Sequence, residues 1–226
     1  QHTMAAVSAS KFLIYGGIGC GKYVVEEGER VCVQGSMVPL NDLWEFDLTK
    51  ARAGFGGFRQ LDMSPSLGGL IGASIARAGL SDHRMIVLGG SKSRNFAFES
   101  WSALPMNPTQ PQGMLVRELL FNQRKASEVE LLSAGELSFH SVACNRTHAV
   151  LFGGFVRNAQ SAATYVYVLD SPSLQTALSS QNILARGPNK RGFSVLVKLE
   201  YIKGDTISMF GGYKNNEGMS DLWILD

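Results

Sequence analysis

A short apolar run closed by two glycines occurs four times along this chain. In the segments around these runs, apolar residues alternate with polar or small ones, which is typical of β-strands. Helical periodicity sustained over two or three turns is nearly absent. The pairs are Gly16-Gly17, Gly89-Gly90, Gly153-Gly154 and Gly211-Gly212. The pattern therefore predicts a β-rich unit repeated four times.

Each glycine pair is predicted to follow the second of four strands in its unit. A first apolar stretch precedes each pair at 2–7, 73–76, 140–143 and 193–197, and a third follows most clearly at 42–47, 165–170 and 221–226. A weaker fourth stretch lies at 58–61, 129–132 and 182–185. Alignment of the third stretches on their closing aspartates places Trp44, Tyr167 and Trp223 in one column, on one face of a strand. Each unit is predicted to be a four-stranded antiparallel meander.

One region, residues 115–133, has a competing interpretation. Leu119, Leu120, Lys125 and Glu128 have a spacing that fits a helix. The register of the repeat instead places a third strand, a turn and a fourth strand in this region. We expect the strands.

Stacked sheets explain why the unit is repeated. A single twisted four-stranded sheet cannot cover both of its faces, and radial stacking of copies buries those faces against one another. We therefore predict an all-β fold, a β-propeller with blades at about 1–62, 70–133, 138–186 and 190–226, the last without a fourth strand. The glycines are expected to adopt backbone angles that other residues avoid, and Trp44 and Trp223 to fill the space between blades.

These motifs resemble the kelch repeat over essentially the whole chain. All four glycine pairs match, and residues 41–47 (NDLWEFD) and 220–226 (SDLWILD) are close to the family's third strand. The second unit departs from the pattern, with residues 114–122 (MLVRELLFN) in place of the tryptophan strand, and the tryptophan that often opens the fourth strand is absent throughout. Kelch propellers usually have more than four blades. The resemblance therefore implies an incomplete propeller that continues into further blades or is completed by other chains; a closed four-bladed ring is the alternative.

Composition and charge exclude some classes of binding partner. The 226 residues are 45% hydrophobic with a net charge of +2, which predicts a soluble globular protein. Lysines and arginines are scattered, so we predict no nucleic-acid binding. Apolar stretches are strand-sized, so no membrane span is predicted. The chain starts at Gln1 without a basic-then-apolar leader, and the sequence leaves the targeting of the protein open.

Two features bear on the cellular compartment. Cys20 and Cys32 flank one loop, and either a small disulfide ring or reduced thiols fit them, with Cys144 left over. Asn145 opens an N-glycosylation acceptor pattern, although such tripeptides also arise by chance. The kelch resemblance implies a cytoplasmic location, whereas these features leave secretion open.

The loops between second and third strands are the predicted binding surface, because in a propeller they emerge on one face. The loops at 18–40 and 91–113 are far longer than a blade needs. Aromatic and arginine side chains on a loop are typical of protein-binding hot spots. The alternative for the three aromatic residues of the second loop is that they cover the second blade. The predicted partner-binding residues are Arg94, Phe96, Phe98, Trp101, Tyr213 and Lys214.

Catalytic chemistry has little support. Some kelch-like propellers are copper oxidases that use two tyrosines and two histidines, but His2 and His140 occupy equivalent repeat positions, which favours a role in the fold. No metal-ligand spacing, catalytic triad or phosphate-binding loop can be placed, so we predict no catalytic residue, metal or cofactor. We expect a non-enzymatic interaction scaffold or complex subunit. The alternative is a secreted kelch-like enzyme, either an oxidase or a carbohydrate-active protein.

Overall fold

The fold is almost entirely β-strand, as the alternating pattern predicts. A computed structural model describes residues 2–33, 36–63, 68–78, 84–90, 114–120, 123–131, 137–144, 148–156, 159–160, 164–168, 173–176, 188–189, 191–199, 206–214 and 217–225. In chain order the strands are β1 (Thr3–Ala6), β2 (Lys11–Tyr15), β3 (Ile18–Cys20), β4 (Tyr23–Glu26), β5 (Glu29–Cys32), β6 (Met37–Pro39), β7 (Leu43–Asp47), β8 (Phe58–Gln60), β9 (Ser74–Arg77), β10 (Arg84–Leu88), β11 (Met114–Leu120), β12 (Lys125–Leu131), β13 (Leu137–Ser138), β14 (Ser141–Cys144), β15 (His148–Phe152), β16 (Phe155–Val156), β17 (Ala159–Gln160), β18 (Thr164–Val168), β19 (Ser173–Thr176), β20 (Val195–Lys198), β21 (Ile207–Lys214) and β22 (Glu217–Leu225).

One short helix, α1 (Leu48–Arg52), lies between β7 and β8. The Asp47 carboxylate caps it by accepting hydrogen bonds from the backbone N–H groups of Thr49 (2.9 Å) and Lys50 (3.2 Å). A five-residue helix is too short to show a helical period, so the sequence pattern did not reveal it.

Four main antiparallel sheets follow one another along the chain, and the described residues also form a small sheet of β13, β16 and β17 and the two-stranded pairs β3–β6 and β4–β5. Sheet 1 contains β1, β2, β7 and β8; sheet 2 contains β9 to β12; sheet 3 contains β14, β15, β18 and β19; sheet 4 contains β20 to β22. β11 and β12 pair as a hairpin, so the helical interpretation of residues 115–133 is wrong. Among the described residues, none of the sheets closes into a barrel or a propeller.

The fourth strand of sheet 3 differs from its prediction. β19 pairs with β18 and begins at Ser173, whereas the sequence pattern placed this strand at 182–185, a segment outside the described residues. The sequence between β18 and β19 contains Ser171-Pro172, a dipeptide that favours turns. The sequence of β19, Ser-Leu-Gln-Thr, has only one strongly apolar residue, so hydrophobic alternation could not reveal it.

The register also corrects the predicted aromatic column. Trp44 lies opposite Ile14 and Trp223 opposite Met209, each two residues before a glycine pair. In sheet 3 the equivalent residue, opposite Leu151, is Tyr165. Tyr167 therefore corresponds to Phe46, and its assignment to the tryptophan column is wrong. The closing aspartate misaligned the units because the register position of Asp47, opposite Lys11, is held in sheet 3 by Val168, opposite His148, and not by Asp170. The glycine pairs set the register.

Three apolar cores lie between consecutive sheets. Their fully buried side chains, each worth roughly 1.5 to 3 kcal/mol of burial, come from both neighbouring sheets. The core between sheets 1 and 2 includes Leu13, Tyr15, Leu43, Ile75, Met85, Val87 and Leu119; that between sheets 2 and 3 includes Ala76, Ile86, Leu88, Val116, Ala149 and Leu151; that between sheets 3 and 4 includes Ala143, Phe152, Leu196, Ile207 and Met209. Each inner sheet therefore uses both of its faces.

Position relative to the glycine pair decides which core a residue enters. The residue directly before the pair packs toward the following sheet, on what we call the forward face: Tyr15, Leu88 and Phe152. The residue two positions before the pair packs toward the preceding sheet, on the backward face: Val87, Leu151 and Met209. The same alternation continues across the sheet because side chains along a strand point to opposite faces.

The first strands of the four sheets, β1, β9, β14 and β20, lie beside one another in that order. A hydroxyl group connects each neighbouring pair. The contacts are Ile75 N–H to Thr3 Oγ1 (3.1 Å), Ser74 Oγ to the His140 carbonyl (2.5 Å) and Ser141 Oγ to Ser194 Oγ (2.6 Å). Small hydroxyl residues therefore hold the first strands together at one level of the stack.

A second set of bonds links the residues that precede the first strands. The Phe139 N–H donates to the Gly72 carbonyl (2.7 Å), and the Phe193 N–H donates to the Phe139 carbonyl (2.9 Å). All three residues have positive φ, at 70°, 57° and 59°. Two phenylalanines in this conformation cost of order 1 to 3 kcal/mol each, which the linking bonds and the contact between their rings, 4.8 Å apart, help to offset.

Candidate functional site

The long connection between β2 and β7 is folded into a projecting ribbon. β3 and β6 pair to form a stem, and the Leu40 N–H donates to the Gly17 carbonyl (2.9 Å) at its base. β4 and β5 pair to form a hairpin beyond the stem, which we call the arm (residues 23–32). Its two-residue turn, Glu27-Gly28, has φ of 51° and 86°, as the commonest tight hairpin turn requires.

Cys20, Cys32 and Ser36 lie between the stem and the arm and form a cluster that we call the clasp. Cys20 and Cys32 form a disulfide, the pairing that the sequence left open. The Ser36 hydroxyl lies beside both sulfur atoms (3.6 Å to each) and donates to the Val33 carbonyl (2.7 Å). The clasp fixes where the arm leaves the stem.

The arm is exposed on both of its faces. Val25 is 71% exposed, and Tyr23, Val24 and Val31 are also exposed. Glu26 and Glu29 lie directly opposite each other, with Glu27 in the turn between them. The tip therefore combines apolar side chains with three carboxylates.

The predicted partner-binding residues fall in two groups. Tyr213 and Lys214 end β21, at the same point between second and third strands from which the arm leaves sheet 1. Both are partly exposed, and the Tyr213 backbone exchanges two hydrogen bonds with Gly192 (2.8 and 3.1 Å). The others, Arg94, Phe96, Phe98 and Trp101, lie outside the described residues, as does Asn145.

Two buried arginines connect structural elements, and the sequence pattern did not single them out. Arg117 on β11 donates to the Tyr15 hydroxyl, to the Gly68 carbonyl (2.5 Å) and to the Glu128 carboxylate (2.5 Å). The Tyr15 hydroxyl in turn donates to the Gly68 carbonyl (2.5 Å). Burial raises the pKa of Tyr15 to about 12, so the phenol stays protonated. This network joins sheets 1 and 2.

Arg191 has a similar position at the entrance to sheet 4. It makes a two-pronged ion pair with Asp221 (2.5 and 2.9 Å) and donates to the Gly211 carbonyl (3.1 Å). The Trp223 indole N–H donates to the same carboxylate (2.6 Å). Hydrogen bonds from Arg191 and Trp223 lower the pKa of Asp221 to about 2.

The Asp-Leu-Trp motif forms the same contact in sheet 1. The Trp44 indole N–H donates to Asp42 (2.7 Å), as Trp223 does to Asp221. The aspartate two residues before each tryptophan was the sequence signal for this contact. We conclude that the aspartate and tryptophan of this motif stabilise the third strand of both sheets.

His140 is fully buried beside the first strands. In the part of the chain that the structure describes, neither ring nitrogen has a hydrogen-bond partner, and burial lowers the pKa of the imidazole from its usual 6.5 to about 3. An unpaired buried polar group costs about 1 to 3 kcal/mol. The equivalence of His140 and His2 in the repeat does not extend to burial, because His2 is exposed.

His140→Phe is expected to flatten the loss of stability in acid. Below pH 6.5 the unfolded chain binds a proton at His140 that the folded protein excludes until about pH 3, so acid destabilises the wild type by on the order of 1 kcal/mol per pH unit from this group. The measurement is urea unfolding of both proteins at pH 7, 6, 5 and 4. The difference in free energy of unfolding should grow in favour of the variant as pH falls. Parallel pH curves would contradict the assignment.

The described ranges contain no group of three or more His, Cys, Asp or Glu placed to hold a metal ion. They also contain no helix with the length and apolarity that a bilayer crossing requires. Comparison with family models finds no match for the chain, and a search of curated proteins finds no significant match.

Proposed function

We propose that this chain is a portion of a kelch-type β-propeller that serves as a non-enzymatic protein–protein interaction scaffold or as a subunit of a larger assembly. Support comes from the four sheets and from the apolar core between each consecutive pair of them. In these sheets the position of a residue relative to the glycine pair decides which core its side chain enters. We propose that the loops between second and third strands, with Arg94, Phe96, Phe98, Trp101, Tyr213 and Lys214, contact protein partners.

The forward face of sheet 4 is the observation that carries this proposal. Phe210 is 54% exposed, whereas the equivalent residues of the other sheets are buried in the next core. Leu222 is 64% exposed, whereas its equivalents Leu43 and Val116 are buried. Val195, Val197 and Ile224 extend the same exposed face. A contiguous apolar face of this kind marks an interaction surface.

A further sheet of the same repeat is the occupant that fits this face best. The Gly17 N–H donates to the Leu70 carbonyl at the entrance to sheet 2 (3.2 Å), and the Gly154 N–H donates to the Arg191 carbonyl at the entrance to sheet 4 (2.8 Å). Gly212 occupies the equivalent position in sheet 4, where it lies opposite Met219 in the β21–β22 ladder. We propose that further blades, in a longer polypeptide or from other chains, supply this sheet.

The backward face of sheet 1 is the second open side. Met4 occupies the column of Ile75 and Leu196, which are buried in cores, yet Met4 is exposed, as is Phe58 at the edge of the same face. An apolar face at each end makes head-to-tail association of identical chains possible. This gives the proposal a direct test.

Leu222→Lys is expected to weaken self-association of the purified chain at least tenfold, because it places a charge in the centre of the forward face. Sedimentation velocity across a concentration series measures the effect. Glu217→Lys is the matched control, since Glu217 is exposed on the same strand at its other end. Self-association that is unaffected by Leu222→Lys, or a chain that stays monomeric throughout, would contradict the role of this face.

Metal analysis of the same protein tests the non-enzymatic part of the proposal. Stoichiometric copper or zinc would favour the alternative, a secreted oxidase or carbohydrate-active enzyme. The Cys20–Cys32 disulfide supports an oxidising compartment for either function, because such bonds persist mainly outside the cytosol.

A further inference from the structure

We propose that the arm is a docking site for an extended basic segment of a partner protein, which adds to the outer edge of β4 as a third strand. The inference deepens the proposed scaffold function by naming the chemistry of one partner. It depends on three properties of residues 23–32: a strand edge without a partner among the described residues, exposed apolar side chains, and three carboxylates around the turn against one cation, Arg30.

The unpaired edge follows from the hairpin register. Among the residues that the structure describes, the sheet formed by β4 and β5 has two strands. In a hairpin with a two-residue turn, the residues that flank the turn exchange hydrogen bonds, and alternate residues face outward. Glu26 and Val24 therefore bond inward, and the backbone groups of Val25 and Tyr23 point outward. Such an edge is a template for strand addition.

The side chains along this edge are apolar and open to solvent. Tyr23 and Val25 lie on one face of the ribbon and Val24 lies on the other, beside Val31 on β5. All four are exposed. A two-stranded hairpin without a covered face is at best marginally stable in water, so a third strand would bury surface that the arm leaves exposed.

The charge at the tip selects a basic occupant. Glu26 and Glu29 are direct cross-strand neighbours, an arrangement in which like charges destabilise a hairpin. Glu27 adds a third carboxylate in the turn. Within the described residues, none of the three forms an ion pair. Lysine or arginine opposite the tip would relieve this repulsion, and this complementarity makes a basic segment the occupant.

The order of residues in the occupant follows from the register. A strand running antiparallel to β4 starts at the tip, with basic residues opposite Glu27 and Glu26. Its next residues lie opposite Val25, Val24 and Tyr23, so apolar residues are expected on the face of Val25 and Tyr23. Two basic residues followed by alternating apolar positions satisfy this edge.

The clasp reduces the entropy lost on binding. The Cys20–Cys32 disulfide closes the base of the arm, and the Val33 N–H donates to the Lys22 carbonyl (3.0 Å) beside it. A strand edge held in its paired conformation before binding gives up less freedom when the partner adds. The disulfide at the base and the tight turn at the tip thus both restrict the conformation of the arm before binding.

The probe for the test is a synthetic peptide, N-acetylated and C-amidated, with the sequence Lys-Lys-Val-Thr-Val-Thr. Binding to the intact, unreduced chain is measured by isothermal titration calorimetry at low salt. Two control peptides are used: one has both lysines replaced by glutamates, and the other keeps the lysines but carries N-methyl groups on alternate residues, which block strand pairing.

The protein variants distinguish binding that depends on the charge of the arm from nonspecific binding. Glu26→Gln combined with Glu29→Gln is expected to weaken binding of the lysine peptide at least fivefold, with an unchanged circular dichroism spectrum. Glu217→Gln is the matched control, because Glu217 is an exposed carboxylate beside the turn of another hairpin, opposite Lys214. It should leave the affinity unchanged. Raising the salt concentration should weaken wild-type binding, since exposed charges are screened.

Each result decides the proposal. It is supported if the lysine peptide binds at least fivefold more tightly than both control peptides and the glutamate variant loses this preference. It is overturned if no peptide binds, if the glutamate or N-methylated peptide binds equally well, or if Glu217→Gln has the same effect as the arm variant. These outcomes are independent of Leu222→Lys, which tests the scaffold function on sheet 4.

Discussion

Replacement of Arg117 by methionine is expected to lower the free energy of unfolding by about 1 to 3 kcal/mol, the usual cost of leaving buried polar groups without one of their partners, because the Glu128 carboxylate that loses its ion pair is itself 39% exposed. Arg117 is 1% exposed and donates hydrogen bonds to the Tyr15 hydroxyl, the Gly68 carbonyl and the Glu128 carboxylate. Its loss leaves Glu128 and the Gly68 carbonyl without their guanidinium donor, and the Tyr15 hydroxyl loses its neighbour at the boundary between sheets 1 and 2.

Urea unfolding measures this effect, with Arg59→Met as the matched control. Arg59 pairs with Glu45 at 2.9 Å, but its side chain is 59% exposed. A solvent-exposed ion pair contributes at most about 1 kcal/mol, so the same substitution at this site should change stability little. Equal effects at the two sites would show that the buried network does not hold the sheets together.

Gly90→Ala is expected to destabilise the protein by about 2 to 4 kcal/mol, the second large effect. Gly90 has φ of 86°, which costs a non-glycine residue about 1 to 3 kcal/mol. A Cβ atom there would also lie 2.8 Å from the Ala73 Cβ and 3.0 Å from the Ala73 backbone nitrogen. The chain entering β9 would have to move, which adds the cost of overpacking.

Gly56→Ala separates these two contributions, because Gly56 has φ of 69° and a Cβ there would meet no atom within 4 Å. It should cost only about 1 to 2 kcal/mol, the strain of positive φ without the crowding. Thermal unfolding followed by circular dichroism compares the two variants. If Gly90→Ala proved no worse than Gly56→Ala, the crowding at the glycine pair would not contribute to stability.

Much of the fold could be predicted because glycine and hydrophobic alternation are local signals. All eight paired glycines have positive φ, and each pair follows the body of a second strand or, in β21, interrupts it. The prediction that residues 115–133 form two strands was confirmed for the same reason, since the repeat supplied the register. The positions of Cys20 and Cys32 fit either a disulfide or reduced thiols, and only the structure decided between them.

Other features could not be read from local patterns. β19 was misplaced because its sequence has little apolar content, and Tyr167 was misaligned because Val168, and not Asp170, holds the register position of Asp47. The burial of Arg117 and Arg191 could not be predicted, because no residue near them in the sequence indicates that they will contact Tyr15, Gly68 or Asp221. The exposure of the arm likewise depends on how stem and clasp direct it.

The sequence by itself determined that the chain forms short antiparallel strands in four similar units, because backbone conformation and side-chain alternation depend on neighbouring residues. Only the tertiary structure decided which face of each sheet is covered, which charged side chains become buried, and which carboxylates meet at the tip of the arm. These properties arise from contacts between residues far apart in the chain, such as Arg117 and Tyr15. Local sequence patterns cannot predict such contacts, because they report only on neighbouring residues.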